Sequence, residues 1–106
     1  MNEAQEIMGA IKLKLSAPIQ AHTETLTELT LRRPTPKECR ELGGLPYSLC
    51  ERNKPQPRLD MVAKYIVLCA SIPLSSVDQL DLSDFNDAVW AVINFFMTSA
   101  AEASTS

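Results

Sequence analysis

The stretch Glu28–Pro36, ELTLRRPTP, holds the junction on which the fold turns. Leu29 and Leu31 alternate with Glu28, Thr30 and Arg32, the period of a half-buried strand. Pro34 stops that strand, because it cannot donate to a ladder. A helix start follows at once. Thr35 supplies a hydroxyl cap, Pro36 takes the first helical position, and Glu38 stands three residues after the cap to close a capping box. A strand that hands over directly to a capped helix predicts an α+β chain.

Upstream, Ile11, Leu13 and Leu15 alternate with Lys12, Lys14 and Ser16, which predicts a partner strand that Pro18 ends or places on an edge. The second run, Thr25 to Arg32, puts Thr27, Leu29 and Leu31 on one face. The two runs predict a β-hairpin. Its connection, Gln20 to Glu24, has no glycine and no Asn-Gly or Asp-Gly pair, so a longer loop is expected rather than a two-residue turn.

Downstream, Gly43 and Gly44 end the first helix. Leu45–Cys50 is short and apolar, and Glu51–Pro57 reads as an exposed loop. A helix is expected over Leu59–Ser71, with Val62, Tyr65, Ile66 and Cys69 on one buried stripe. Ile72-Pro73 closes it. Ser75 or Ser76 is expected to cap a short turn, with Asp78 or Gln79 completing the box, and Leu80 and Leu82 to follow as core plugs. Ser83 is expected to cap a last helix, Asp84 to about Ser99, whose inner face is Phe85, Ala88, Val89, Val92, Ile93 and Phe96. The predicted architecture is α+β: an N-terminal β-hairpin followed by three to four α-helices in one small domain. That domain covers residues 11–99, between a flexible arm (1–10) and a disordered tail (100–106).

Composition removes several classes of function. The chain of 106 residues has a net charge of −3, which disfavours nucleic acid as the main partner. Its three cysteines, Cys39, Cys50 and Cys69, are odd in number and match no zinc spacing, and His22 is the single histidine. They read as free thiols of a reducing cytoplasm. Asp78, Asp81, Asp84 and Asp87 recur every three residues but form no calcium-loop pattern, and helix capping is their expected role. Three glycines build no phosphate loop. No catalytic residues, metal site or cofactor are expected, and the protein is not read as an enzyme. The N-terminus lacks a basic cluster followed by an apolar run, as in a secretory signal. The densest apolar stretch, Ala88–Met97, is half the ~20 residues of a membrane span.

Two features suggest a partner. Arg32, Arg33, Lys37 and Arg40 make a basic patch without interleaved aromatics, better suited to a solvated surface or an acidic partner than to nucleic acid. The apolar arc of the last helix, about 220°, exceeds what a surface helix needs to reach its core. Trp90, Phe95 and Met97 flank the inner face and are the candidate partner-binding residues, for another protein or a second copy. The hairpin also leaves a strand edge open to strand addition.

Four segments in this order resemble the small tail assembly chaperones of long-tailed phages, of the Mu-like and P2-like kind. They are Leu13–Ile19 (LKLSAPI), Glu28–Pro36 (ELTLRRPTP), Ala70–Leu82 (ASIPLSSVDQLDL), and the last helix ending in Asn94-Phe95-Phe96. Their order and spacing, rather than any one of them, carry the likeness, which spans most of Leu13–Met97. Two departures stand out: Ala21–Glu24 lacks the glycine often found in that loop, and Gly43–Pro57 lies in a variable region. The resemblance implies a protein of the host cytoplasm that binds the tape-measure protein and keeps it soluble during tail assembly, without catalysis. A structural tail component, or a small nucleic-acid-binding regulator using the Arg32–Arg40 patch, are the alternatives.

Overall fold

The computed structural model describes residues 9–98. Residues 1–8 of the arm expected over 1–10, and the tail expected over 100–106, lie outside the described residues. The N-terminal hairpin is present: β1 (Ile11–Ala21) pairs antiparallel with β2 (Glu24–Leu31). Ile11 faces Leu31 at the open end, and Ala21 faces Glu24 at the tip.

The tip corrects one expectation. Only His22 and Thr23 separate the strands, so the turn is tight, although it contains no glycine. His22 takes the left-handed conformation itself, with φ 59°. Contacts from outside the hairpin hold it there. His22 Nε2 lies 3.3 Å from the Ser71 carbonyl oxygen. Next to it, the Gln20 N–H donates to Gln79 Oε1 at 2.7 Å, and Ser76 Oγ donates to the Gln20 carbonyl at 2.5 Å.

Pro18 does not end β1, which runs on to Ala21 as an edge strand of a two-stranded sheet. The pairing slips between Lys14 and Ile19, so that Leu15–Pro18 bulge opposite Thr27. A proline is tolerated in a bulge because no ladder bond is required of it. The slip also moves the inward face of β2. Leu26, Leu29 and Leu31 turn inward, whereas Thr27, expected on that face, is exposed.

The helix after ELTLRRPTP forms as its sequence dictates. α1 (Pro36–Leu42) has Thr35 as N-cap. The Glu38 N–H donates to Thr35 Oγ1 at 3.2 Å, and the Thr35 N–H donates to Glu38 Oε1 at 3.0 Å. Gly43, with φ 103°, ends the helix. Leu45–Pro57, read as a short apolar run and a loop, contains a second small hairpin. β3 (Tyr47–Leu49) pairs with β4 (Pro55–Pro57), and Asn53 supplies a positive φ in the turn.

α2 (Leu59–Ala70) buries Val62, Tyr65, Ile66 and Cys69 as its period predicts. Ser71 closes it in the left-handed region. α3 (Leu74–Val77) starts from Pro73, not from a serine cap: Ser75 and Ser76 lie inside the helix, and the Ser76 hydroxyl donates to the Gln20 carbonyl. α4 (Leu82–Met97) is capped by Asp81, two residues before the expected Ser83. Asp81 Oδ2 accepts from the Ser83 N–H at 3.1 Å and from Ser83 Oγ at 2.6 Å. Leu82, expected as a core plug, is 81% exposed.

One connected core gathers both strands of the first hairpin with α2 and α4. Leu31, Val62, Tyr65, Ile66, Ala88 and Val92 lose all contact with solvent. Each aliphatic side chain buried this way contributes about 1.5–3 kcal/mol. The Arg32 N–H donates to the Cys69 carbonyl at 3.1 Å, which ties the end of β2 to the end of α2. Asp84 ties β1 to α4. It is 5% exposed, and its carboxylate accepts the Ser16 N–H at 3.1 and 2.9 Å and the Ser16 hydroxyl at 3.0 Å. The bulge frees that N–H from the ladder, and the helix supplies its acceptor. The fold is therefore α+β: an N-terminal hairpin followed by four helices among the described residues.

Candidate interaction surface

The outer side of α4 is built by helical geometry from a sequence that is apolar almost all round. Asp84, Ala88, Val89, Ala91, Val92, Ile93 and Phe95 face inward and are buried. Phe85 and Phe96 are half-buried and pack against the same core. What remains outside is a stripe with Leu82 at one end, Trp90 in the middle (45% exposed) and Met97 at the other end (44% exposed). Asn86 and Asn94 sit between them on the same side of the helix.

Trp90 separates two hollows. The first, about 290 Å³, is lined by Pro57, Leu59, Leu82, Phe85, Val89 and Trp90 among others. The second, about 540 Å³, is lined by Pro55, Asp87, Trp90, Ile93, Asn94 and Met97 among others. The walls opposite α4 come from β4 and the start of α2. β4 supplies two prolines, and Leu59 is 54% exposed. Among the described residues, Asp87 is the only charged side chain lining either hollow. Large apolar side chains gathered on one face of a small protein mark an interaction surface more than single exposed ones do.

Among the described residues, no group of His, Cys, Asp or Glu could hold a metal ion. The acids at 78, 81, 84 and 87 point to different tasks: Asp81 caps α4 and Asp84 binds Ser16. Among the described residues, no helix is long and apolar enough to cross a membrane.

The family model described as phage tail assembly chaperone proteins, E, or 41 or 14, matches residues 12–97. The chain belongs to this family. No curated protein and no solved structure gives a match. The matched stretch of this tail assembly chaperone family member runs from β1 to the end of α4, so it includes the hairpin, the second small hairpin and the whole exposed stripe.

Of the three residues expected to flank the inner face, Trp90 and Met97 stand on the exposed stripe together. Phe95 does not join them. It is 4% exposed, on the opposite margin of the inner face. Arg33 covers it, with the guanidinium carbon 5.8 Å from the ring centroid. Arg33 also donates to the Phe95 carbonyl at 2.7 Å and to the Thr98 carbonyl, closing the C-terminal end of α4. The surface residues that period alone missed are Leu59, Leu82, Pro55 and Pro57. Leu82 sits in the first turn of α4, where its spacing to Trp90 was available as a signal. The prolines become wall residues only through the β3–β4 pairing.

The basic patch separates into pieces. Arg32 pairs with Glu38 through two bonds, 2.9 and 2.7 Å. That ion pair, together with the Thr35 N–H, holds the Glu38 carboxyl down to about 2. The three cysteines are free thiols: Cys69 is buried, and burial pushes its thiol up to about 12. Both strands of the hairpin are edges of a two-stranded sheet, and that of β1 is partly occupied by Asp84, Gln79 and Ser76.

Proposed function

We propose that the protein is an assembly chaperone that binds the tape-measure protein in the host cytoplasm and keeps it soluble until the tail tube is built. The observation that supports this most is the exposed stripe Leu82–Trp90–Met97 between two apolar hollows. A long helical partner awaiting its tube exposes apolar stripes of its own. A holdase must cover them and later let go, which asks for a shallow, largely apolar surface rather than a deep pocket. No catalytic step enters this role.

The test is co-expression with the tape-measure protein from the same phage or prophage. Wild-type protein should raise the soluble fraction of the tape measure and co-purify with it. Trp90→Ala should reduce both, while stability of the free protein changes by no more than about 1 kcal/mol, since the indole is half-exposed. No gain in solubility and no complex would sink the proposal. Protein found in stoichiometric amount in finished tails, by mass spectrometry, would replace it with a structural role.

A further inference from the structure

A third hollow lies on another side of α4, between its end and α1. It has a volume of about 440 Å³ and is lined by Arg33, Pro34, Pro36, Arg40, Phe95 and Phe96 among others. Its walls are rings and proline faces. Among the described residues its lining includes no carboxylate, and both charged side chains are guanidinium groups.

Among the described residues, no carboxylate pairs with these two cations. Arg32, their chain neighbour, is matched by Glu38. Arg33 instead meets only the carbonyls of Phe95, Thr98 and the face of Phe95, and its Nη1 is enclosed without an acceptor. Arg40 is exposed and has no ion pair among the described residues. A protein with a net charge of −3 thus places two unmatched cations over one apolar hollow. A guanidinium held against carbonyl oxygens and a ring keeps its full charge and its planar fork, which suits a carboxylate.

We propose that this hollow binds an acidic peptide segment of a protein partner, seating one apolar side chain against Phe95, Phe96 and the prolines while a neighbouring carboxylate meets Arg33 and Arg40. A peptide suits the site better than a nucleic acid, because the hollow sets only two cations among apolar walls and the overall charge repels a polyanion. The site is separate from the Trp90 surface and stands whether or not that surface binds the tape measure.

The probe is an array of immobilised peptides with leucine or phenylalanine flanked by two glutamates, beside the same peptides with glutamines. The protein should hold the glutamate set about tenfold more tightly, with an advantage that shrinks as salt rises. Arg40→Glu should abolish the preference while lowering the thermal midpoint by no more than a few degrees, because the Arg40 side chain is exposed and makes no ion pair among the described residues, and the charge reversal acts only on the last turn of α1. Arg33→Lys, which keeps the charge and loses the fork, should weaken it. Trp90→Ala should leave it intact. Amide shifts on titration should centre on residues 33–40 and 95–97. Equal retention of glutamate and glutamine peptides would overturn the proposal, as would unchanged binding by Arg40→Glu. Tighter, salt-sensitive binding to a single-stranded RNA oligomer than to any peptide would also overturn it.

Discussion

Glu38 shows how one residue can serve two levels of structure. Its backbone and side chain complete the Thr35 capping box, and the same carboxylate takes both arms of Arg32. The first task was legible from spacing, because a capping box is local. The second was not, since nothing in the sequence says which of four nearby cations turns towards it. The Arg32 bonds first, and the Thr35 N–H second, lower its pKa from the ordinary 4.5 to about 2. A depressed carboxylate stabilises the folded state fully above its unfolded value and loses that contribution as pH falls through its folded value. Glu38→Gln keeps an acceptor for the Thr35 N–H but removes the charge. It should therefore flatten the acid side of the stability profile between about pH 4.5 and 2 and leave the curve's shape near neutrality unchanged, read from urea midpoints across that range. An unaltered acid limb would mean that the pair contributes nothing to folding. Asp84 illustrates the opposite case. Its position in the first turn of α4 suggested a dipole role, yet its acceptors serve Ser16 in a strand that is distant in sequence. Only the bulge creates that demand, and a bulge leaves no mark in a period-two pattern.

At the scale of elements, the first hairpin and the helices were legible because each has several turns or alternations behind one period. β3 and β4 were not, because three residues are too few to show a period and two of the three in β4 are prolines. The tight turn at His22-Thr23 was misjudged for a physical reason. Turn preferences describe an isolated hairpin, whereas this tip is docked on the segment between α2 and α4. The contribution of that docking can be measured. Ser76 is fully buried and its hydroxyl reaches the Gln20 carbonyl. Ser76→Ala should destabilise the protein by about 1 kcal/mol. Gln79 Nε2, 3.2 Å from the same carbonyl, would retain part of the contact. Hydrogen exchange should speed up at the hairpin tip while protection in the middle of α2 falls only with global stability. Uniform loss across the chain would show that the tip is not an independent weak point.

For the whole molecule, the division of α4 into a buried and an exposed half connects folding to function. A helix with an apolar arc this wide cannot be covered entirely by two small hairpins and one other long helix. Arg33 closes one margin over Phe95, and the other margin, at Trp90 and Met97, stays open. Which margin would be covered depended on a contact between residues 62 positions apart, Arg33 and Phe95, so the sequence named three candidates where the fold exposes two. Trp90 is the only tryptophan in the chain, which makes the open margin directly observable. In the free protein at low concentration its emission should be that of a partly hydrated indole, and acrylamide should quench it readily. Binding of the tape measure over the hollows should shift the emission to the blue and cut quenching several-fold. An acidic peptide seated at Arg33 and Arg40 should change neither. Shielding that appears as the free protein is concentrated, with a matching rise in mass by sedimentation, would identify a second copy as the occupant of the stripe. The tape measure would then have to displace that copy before it could bind there, and the apparent affinity of the complex would fall as the chaperone concentration rises.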